Sequence, residues 1–317
     1  MTDNNELHVV FGTGPVGMSV MDELVSKGKR VRMVNRSGRA NVSEGVEVVG
    51  GNAADPAFTR EVSEGASVVY NALNPPYDKW PELFPGLQAG VLEGASSAGA
   101  KLIAMENLYI YGPTDGRPVT EDLPYAANTR KGTVRARMSE ELMEAHRDGK
   151  VRVAIGRASD FFGPRVLASA AGEQVFGRAV EGKSAQVAGD PGQPHTYTYA
   201  PDIGRGLVIL GEREEALGRA WHLPNPETVT TREFVGMMFE EVGKPARIQV
   251  APKILLRAMG LFNPAMREMV EMLYEFEEPF VVDASDFTRT FGDPATPLGE
   301  AIRETVGWYR QERTAGT

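Results

Sequence analysis

The sequence contains no cysteine among its 317 residues. This absence excludes disulfide bonds, thiolate catalysis and metal sites with cysteine ligands, and it agrees with a reducing compartment. The only four histidines are widely spaced and form no metal-binding motif; they are His8, His146, His195 and His222. We therefore expect no metal site.

Long apolar runs are also missing. No stretch reaches the roughly 20 apolar residues that span a bilayer. The first residues, MTDNNELH, lack the basic and then apolar pattern of a signal peptide. A net charge of -9 predicts repulsion from nucleic-acid phosphates. We expect a cytoplasmic protein whose partners include neither a membrane nor nucleic acid.

What the first half does contain is a regular alternation of short β-branched runs with helical stretches. The strand candidates are LHVVF (7–11), RVRMV (30–34), VEVVG (46–50), SVVYNAL (67–73), KLIAMEN (101–107) and VRVAIGRAS (151–159). This order predicts an α/β fold in which six strands form a doubly wound parallel sheet with helices on both faces.

The composition changes after Ser159, where glycine and proline become frequent. We predict a dinucleotide-binding domain over residues 1–158 and a smaller C-terminal substrate lobe over 159–317, with segments near 195–210 and 280–290 returning to the first domain. In the lobe, RAWHLP suggests a strand, and TVTTREFVGMMFEEVGK suggests a helix capped by threonine. An apolar helical stripe, for which core packing is favoured over a substrate pocket or subunit contact, joins Met266, Met269, Val270, Leu273 and Tyr274.

A glycine-rich loop, VVFGTGPVGMSV, lies between the first strand and the first helix. Three glycines at this spacing allow a tight turn, close approach of a pyrophosphate to backbone N–H groups, and close packing of helix on strand. This context predicts a Rossmann-type fold that binds a dinucleotide. The predicted contacts in the loop are Gly12, Thr13, Gly14, Pro15, Val16 and Gly17.

The residues after the second strand indicate which dinucleotide is bound. Asn35 stands where an acid would hold the ribose 2′-hydroxyl of NAD, and Arg36, Ser37 and Arg39 follow it. This pattern favours NADP(H) over NAD(H), although an arginine here is also compatible with a solvated surface. Asn52 or Asp55 is expected near the adenine, with helix capping as the alternative for Asp55. The other predicted cofactor contacts are Ala53, Asn71, Ala72 and Leu73.

With these residues, the chain resembles the extended short-chain dehydrogenase/reductase superfamily, which includes the NAD-dependent epimerases and dehydratases of nucleotide sugars. The resemblance also rests on LYIYGP, TEDLPY, GRASDFFGP and YTYAPDIGRGL. It implies an enzyme acting on a small molecule, and, by analogy only, a homodimer.

The active-site residues depart from this pattern. The superfamily's catalytic serine position holds Asn107, and its Tyr-x-x-x-Lys falls on Lys131 and Arg135. The chain thus resembles the atypical members of the superfamily. Phe11 also replaces the first glycine of the usual loop, with Gly12 supplying the shifted one.

The substituted residues suggest several chemistries. Lys131 and Arg135 are four apart and share a helical face, where a like charge would push Lys131 towards a neutral proton donor and Arg135 would contact cofactor or substrate. The alternative is a solvated, salt-bridged helix face, with Gly132 keeping Lys131 outside the helix. Asn107 is expected to bind a substrate carbonyl.

Other tyrosines are candidate proton donors. Tyr109 would share a face with Asn107 if the strand continued. In PHTYTYAPD, Tyr197 is a candidate beside His195 and Tyr199, with packing as the alternative. Tyr77 and Trp80 are expected to stack on an apolar or aromatic substrate.

Three functions follow from these observations. The first is an NADPH-dependent oxidoreductase that reduces a small carbonyl, conjugated or imine compound without the Tyr-x-x-x-Lys pair. The second is a catalytically silent NADP-binding sensor. The third is a sugar-nucleotide epimerase or dehydratase, which ranks last because such reactions use the missing tyrosine.

Overall fold

The computed structural model describes residues 6–262, 267 and 270–315. The strands are β1 (Leu7–Phe11), β2 (Arg30–Asn35), β3 (Glu47–Gly50), β4 (Ala66–Asn71), β5 (Lys101–Glu106), β6 (Arg152–Arg157), β7 (Phe161–Phe162), β8 (Ala185–Val187), β9 (Pro194–His195), β10 (Thr198–Tyr199), β11 (Ala220–His222), β12 (Val229–Thr230) and β13 (Ile248–Val250). The helices are α1 (Pro15–Ser26), α2 (Pro56–Ser63), α3 (Trp80–Ala98), α4 (Arg130–Arg147), α5 (Arg178–Val180), α6 (Ala200–Glu212), α7 (Thr231–Val242), α8 (Lys253–Gly260), α9 (Tyr274–Glu277), α10 (Ser285–Phe291) and α11 (Leu298–Ala315).

The central element is a sheet of seven parallel strands in the order β11-β6-β5-β4-β1-β2-β3. The Rossmann-type doubly wound prediction is confirmed. The predicted number of six strands is wrong, because RAWHLP, which the sequence suggested for the second lobe, forms β11 and pairs with β6 at the sheet edge.

Helices cover both faces of this sheet. On one face, Val91 and Ala95 of α3 and Leu142 of α4 pack in one core with strand residues such as Val69 and Leu102. On the other face, α6 lies against α1, since a Cβ on Gly204 would sit 2.5 Å from the backbone carbon of Ser19. The central strands β1, β4, β5 and β6 are largely buried, as their apolar sequences predict, whereas the edge strand β3 has no buried residue.

By contact, the chain divides into two compact units. The first contains the sheet and comprises residues up to Ile110, Arg130–Ala158 and Ile203–Leu223, and the second comprises Tyr111–Thr129, Ser159–Asp202 and residues from Pro224 on. The chain changes units at the predicted boundary after residue 158, and also after residues 110, 129, 202 and 223. The division into domains at 1–158 and 159–317 remains a prediction.

The second unit has its own aromatic core. Phe162, Phe176 and Phe234 meet there with ring centroids 5.1 to 5.8 Å apart. Helices α7 and α11 supply much of its remaining apolar surface. Short two-stranded sheets join β7 to β10, β8 to β13 and β9 to β12.

Helix caps follow the sequence closely. Thr230 caps α7 in a capping box with Glu233. Asp55 accepts a hydrogen bond from the backbone N–H of Ala57 and caps α2, the alternative role proposed for it. Met266 and Met269 of the predicted apolar stripe lie outside the described residues. None of the described helices is long and apolar enough to cross a bilayer.

Two helical glycines test the close contact of α6 with α1. We expect Gly204→Ala to destabilise the protein by about 1–3 kcal/mol, because the new methyl would overlap the Ser19 backbone. Gly236→Ala in α7 is the matched control, since no described atom lies within 4 Å of its built Cβ. The control should stabilise by about 0.5–1 kcal/mol. Urea midpoints measure both, and equal shifts would contradict the close packing.

Candidate functional site

The glycine loop between β1 and α1 forms a tight turn that only glycine permits at two positions. Gly12 has a φ of 110°, and its built Cβ would lie 2.5 Å from the carbonyl oxygen of Ala72. A Cβ on Gly17 would lie 2.0 Å from the carbonyl oxygen of Gly12. These glycines therefore serve the packing of loop, helix and strand.

Gly14 is different, because nothing in the described chain lies within 4 Å of its built Cβ. It precedes Pro15 at the N-terminus of α1, where a helix leaves backbone N–H groups for a phosphate. The loop thus has two glycines that the fold needs and a third whose open side suits close approach of an anion. The residues fit a dinucleotide pyrophosphate.

Asn35, the last residue of β2, organises the loop that follows. Its amide oxygen accepts hydrogen bonds from the backbone N–H groups of Ser37 and Gly38, at 3.0 and 2.8 Å. Its amide nitrogen donates to the Thr13 hydroxyl at 3.0 Å and to the Arg39 carbonyl at 2.9 Å. Asn35 thereby joins the glycine loop to the basic loop, in which the Arg36 side chain is exposed.

The other predicted cofactor contacts follow the carboxyl ends of β3 and β4. Asn52 accepts a hydrogen bond from the Ala54 N–H at 3.1 Å, and Asn71 accepts one from the Leu73 N–H at 3.3 Å. Ala72 donates its N–H to the Phe11 carbonyl at 2.9 Å, and Ala53 is buried. Ligand sites of open parallel sheets lie at this edge.

Lys131 lies in the first turn of α4 and is fully buried, with 0% of its surface exposed. Its Nζ donates to the Tyr77 carbonyl and lies 3.7 Å from the centroid of the Tyr77 ring and 5.3 Å from that of the Trp80 ring. Such contacts are those of an ammonium group. The predictions of a solvated Lys131 and of a lysine outside the helix are wrong.

Arg135 is also buried and belongs to a charge cluster with Glu106 and Arg157. Its Nη2 atom lies 3.9 Å from Glu106 Oε1 and donates to the Met105 carbonyl at 3.1 Å. Arg157 donates from Nε to Glu106 Oε2 at 3.1 Å, and from Nη2 to the Ser139 hydroxyl at 2.8 Å. Burial lowers the pKa of Arg135, an effect that Glu106 opposes and Arg157 reinforces.

Three buried polar atoms here have no hydrogen-bond partner within the described part of the chain. They are Glu106 Oε1, Asn107 Oδ1 and Arg135 Nε. Buried polar atoms are rarely left unpaired in a purely structural cluster. The end of β5 and the facing side of α4 therefore carry polar groups in excess of what the fold itself uses.

Tyr109 lies beyond this cluster but not on a strand. β5 ends at Glu106, and residues Tyr109–Tyr111 form a 3-10 turn, so the expectation that Tyr109 extends the strand face of Asn107 is wrong. The Tyr77 hydroxyl instead donates to the Tyr109 hydroxyl at 3.5 Å. The structure thus brings together Lys131, Tyr77 and Tyr109.

Trp80 does not have the role predicted for it. It is 5% exposed, its Nε1 donates to the Pro75 carbonyl at 3.1 Å, and its ring packs against those of Tyr77, Phe84 and Tyr109. A side chain enclosed in this way cannot stack on a substrate, so the prediction is wrong for Trp80. Its role is to enclose Lys131.

Tyr197 belongs to the second unit and is buried there. Its hydroxyl lies 3.0 Å from that of Thr231, its ring stacks on Phe234, and burial raises its pKa. These contacts favour the packing alternative. Neighbouring His195 bonds to Asp160 at 3.0 Å and to the Glu275 carbonyl at 3.1 Å, while burial raises the pKa of the Glu275 carboxyl, with the charge of Asp160 adding to the effect.

Glu106 and Arg157 were not predicted as site residues from the sequence. The signal for them was that the two apolar strand sequences KLIAME and RVAIGR end in residues of opposite charge. In the sheet these two residues are direct partners in register. A charge at the end of an apolar parallel strand indicates a site or a buried partner.

Gly14→Ala separates binding from folding. We expect an unchanged thermal midpoint, because the methyl meets no described atom, and at least about tenfold weaker binding of NADPH, because it occupies the side that a phosphate would approach. Gly17→Ala is the contrasting variant and should lower both stability and binding. Fluorescence titration with NADPH measures the affinity, and full affinity in Gly14→Ala would contradict a pyrophosphate at this loop.

Comparison with known proteins agrees with this geometry. Among curated relatives, dTDP-glucose 4,6-dehydratase of Streptomyces griseus is 22% identical over 71% of this chain and 63% of its own length. UDP-glucuronic acid decarboxylase 1 of Danio rerio is 26% identical over 98% of this chain and 74% of its own. The match to the dehydratase thus spans less than two thirds of that enzyme.

Solved structures share the fold. An epimerase from Methanothermobacter thermautotrophicus superposes with a TM-score of 0.82 at 20% identity, covering 98% of this chain and 94% of the other. UDP-glucuronic acid 4-epimerase from Bacillus cereus, solved in complex with NAD, gives 0.76 at 16% identity, with coverages of 96% and 99%. The model of the NAD dependent epimerase/dehydratase family matches residues 9–223, which include the glycine loop, the charge cluster and all seven sheet strands except the first residues of β1. The chain therefore belongs to the NAD dependent epimerase/dehydratase family.

Proposed function

We propose that this chain is an NADP(H)-dependent oxidoreductase that interconverts a carbonyl, conjugated or imine group and its reduced form on a small molecule. The observation that carries the proposal is the contact of the Tyr77 and Tyr109 hydroxyls at 3.5 Å, beside an ammonium group 3.7 Å from the Tyr77 ring centroid. A phenol pair next to a fixed cation is a candidate proton donor. It would replace the missing tyrosine of Tyr-x-x-x-Lys.

The residues that would hold a cofactor support the choice of NADP(H) in this proposal. The residues that would hold it are the loop Gly12–Gly17, with Asn35 and Arg36 at the adenosine ribose and Asn71 to Leu73 along the central portion. When bound, the nicotinamide supplies or accepts a hydride. Solved structures that are similar to this chain include complexes with NAD. In this chain, Asn35 in place of an acid and the exposed Arg36 favour the 2′-phosphate of NADP(H).

The chain's own residues would handle the proton. Tyr109 receives a hydrogen bond from Tyr77, which stabilises negative charge that develops on the Tyr109 oxygen when it gives up a proton. Lys131 is less suited than Tyr109 to donate the proton, because it would have to leave the Tyr77 carbonyl and the faces of the Tyr77 and Trp80 rings. Asn107, whose Oδ1 has no partner among the described atoms, would orient a substrate N–H or O–H group.

A second candidate is redox-neutral conversion of a sugar nucleotide. The names of the relatives favour it, since they include a dTDP-glucose dehydratase and UDP-glucuronic acid decarboxylases. Lys131 in place of the family's tyrosine weighs against it. Conversion of a UDP- or dTDP-sugar with no net consumption of NADPH would establish this function instead.

Tyr109→Phe tests the proton donor. With NADPH and a panel of carbonyl and imine substrates, we expect the single-turnover rate to fall by about 10²–10⁴-fold, because the ring remains and the proton is lost. NADPH affinity should stay within about twofold. The half-exposed Tyr125 provides the control variant Tyr125→Phe, which should keep the full rate. An unchanged rate in Tyr109→Phe would exclude this donor, and NADPH binding without any turnover would favour a sensor.

Arg36→Ala tests the cofactor preference. We expect NADPH affinity to fall by about tenfold or more, because a charge-assisted hydrogen bond to the 2′-phosphate is lost, while NADH affinity stays the same. Arg137→Ala removes an exposed arginine from the outer side of α4 and should change neither. Equal losses for NADPH and NADH would show that Arg36 does not discriminate between them.

A further inference from the structure

The second unit contains a buried histidine with a hydrogen-bond acceptor at each ring nitrogen. This residue is His195, the last residue of β9. Its Nδ1 lies 3.1 Å from the backbone carbonyl oxygen of Glu275, and its Nε2 lies 3.0 Å from Asp160 Oδ2. A carbonyl oxygen can only accept a hydrogen bond, so Nδ1 carries a hydrogen. All three residues belong to the second unit.

The bond between His195 Nε2 and Asp160 also requires a proton. An ionised carboxylate only accepts hydrogen bonds, so this proton is carried either by Nε2, as part of an imidazolium, or by a protonated Asp160. In both cases the two side chains are neutral as a pair. Asp160 Oδ1 has no hydrogen bond among the described residues, and the Asp160 side chain is 15% exposed. One carboxyl oxygen therefore remains for a ligand.

Glu275 adds a second carboxyl that the fold does not pair. Its side chain is 2% exposed, and Oε1 has no hydrogen-bond partner within the described residues. In the part of the chain that the structure describes, no lysine or arginine forms an ion pair with Glu275 or Asp160. Burial raises the pKa of the Glu275 carboxyl, and the nearby charge of Asp160 raises it further. A buried carboxyl without a partner destabilises a fold and is rarely kept without a function.

Aromatic rings hold His195 in place. The Phe276 ring stacks on it with centroids 4.8 Å apart and an interplanar angle of 8°. The rings of Phe280 and Tyr197 lie at centroid distances of 5.3 and 4.6 Å. This packing fixes the direction of Nε2 and thereby the carboxyl of Asp160. Apolar surroundings also strengthen the interaction of both carboxyls with an added charge.

We propose that Asp160 and Glu275 bind the protonated amine of a small molecule. Because His195 and Asp160 are neutral as a pair, ionisation of Glu275 leaves one negative charge, which one ammonium group balances. A primary ammonium has three N–H donors and can donate to Asp160 Oδ1 and Glu275 Oε1 together. This inference concerns a binding site in the second unit and does not depend on the proposed oxidoreductase function.

Other cations fit these residues less well. Among the described residues, no three histidine or acidic side chains are arranged to hold a metal ion. A bulky quaternary ammonium has no N–H group to donate, and the low exposure of Asp160 and Glu275 leaves little access for it. A slender primary amine meets both requirements.

The experiment is isothermal titration calorimetry of the full chain with n-butylamine, which is protonated near neutral pH as a lysine side chain is. The neutral counterpart is 1-butanol, which has the same chain length. We expect saturable binding of the amine with a Kd below about 10 mM, and no binding of the alcohol.

Two isosteric variants test the carboxyls. Asp160→Asn and Glu275→Gln should each weaken amine binding by at least about tenfold, because each replaces a carboxylate partner of the ammonium by an amide. The thermal midpoint of Glu275→Gln should not fall, since no described contact of its carboxyl is lost. The matched control is Glu277→Gln, which removes a half-buried carboxylate paired with Lys253 on the same short helix. This control should bind the amine as the unmodified chain does.

No binding of n-butylamine, or equal binding of 1-butanol, would overturn the proposal. Full affinity in Glu275→Gln, or an equal loss in Glu277→Gln, would overturn it as well. So would binding of Zn²⁺ that displaces the amine and requires both carboxyls, because the residues would then form a metal site. NADPH affinity should be the same in all variants, so failure of amine binding would leave the proposed oxidoreductase function untouched.

Discussion

A buried cation must be paired, and α4 buries two of them in consecutive turns. Removing a cation from water costs several kcal/mol unless charge or hydrogen bonds replace the water. The charge of Arg135 is compensated by Glu106, which also forms an ion pair with Arg157. The charge of Lys131 is compensated by the Tyr77 carbonyl and by the faces of the Tyr77 and Trp80 rings. The ends of β5 and β6, the start of α3 and the first turns of α4 are therefore fixed relative to each other by charge. Lys131 and Arg135 of α4 thus connect these elements to one another.

The glycine loop depends on a different constraint, which is the closeness of backbone to backbone. Gly12 and Gly17 are required because a single methyl at either would overlap a carbonyl oxygen. Asn35 then links this loop to the basic loop after β2 through hydrogen bonds in both directions. The steric constraint thus acts at the end of β1, and the charge constraint acts at the ends of β5 and β6.

The sequence predicted those parts of the fold that depend on local pattern. Six strands, the glycine loop and the caps at Asp55 and Thr230 all carry their signal within a few residues. Strand β11 was misplaced because a three-residue strand says nothing about its partner, and β6 is distant in sequence. Lys131 and Arg135 precede two glutamates, the pattern of a solvated helix, and their burial is decided by Tyr77, Glu106 and Arg157 on other elements. The role of Tyr109 as a site residue stays a prediction, since its contacts with Tyr77 and Trp80 are contacts within the fold and do not by themselves show a function.

The two candidate reactions make different demands on the residues at the start of α3 and α4. The contacts of Lys131 with the Tyr77 carbonyl and with the faces of the Tyr77 and Trp80 rings hold its Nζ in place. A reaction that needs a mobile proton at this position is therefore disfavoured, because Lys131 would have to give up these contacts. A reaction that takes its proton from a neighbouring phenol is compatible with them, since the Tyr77 and Tyr109 hydroxyls lie 3.5 Å apart. This difference is the reason for preferring the proposed reductase to the proposed conversion of a sugar nucleotide.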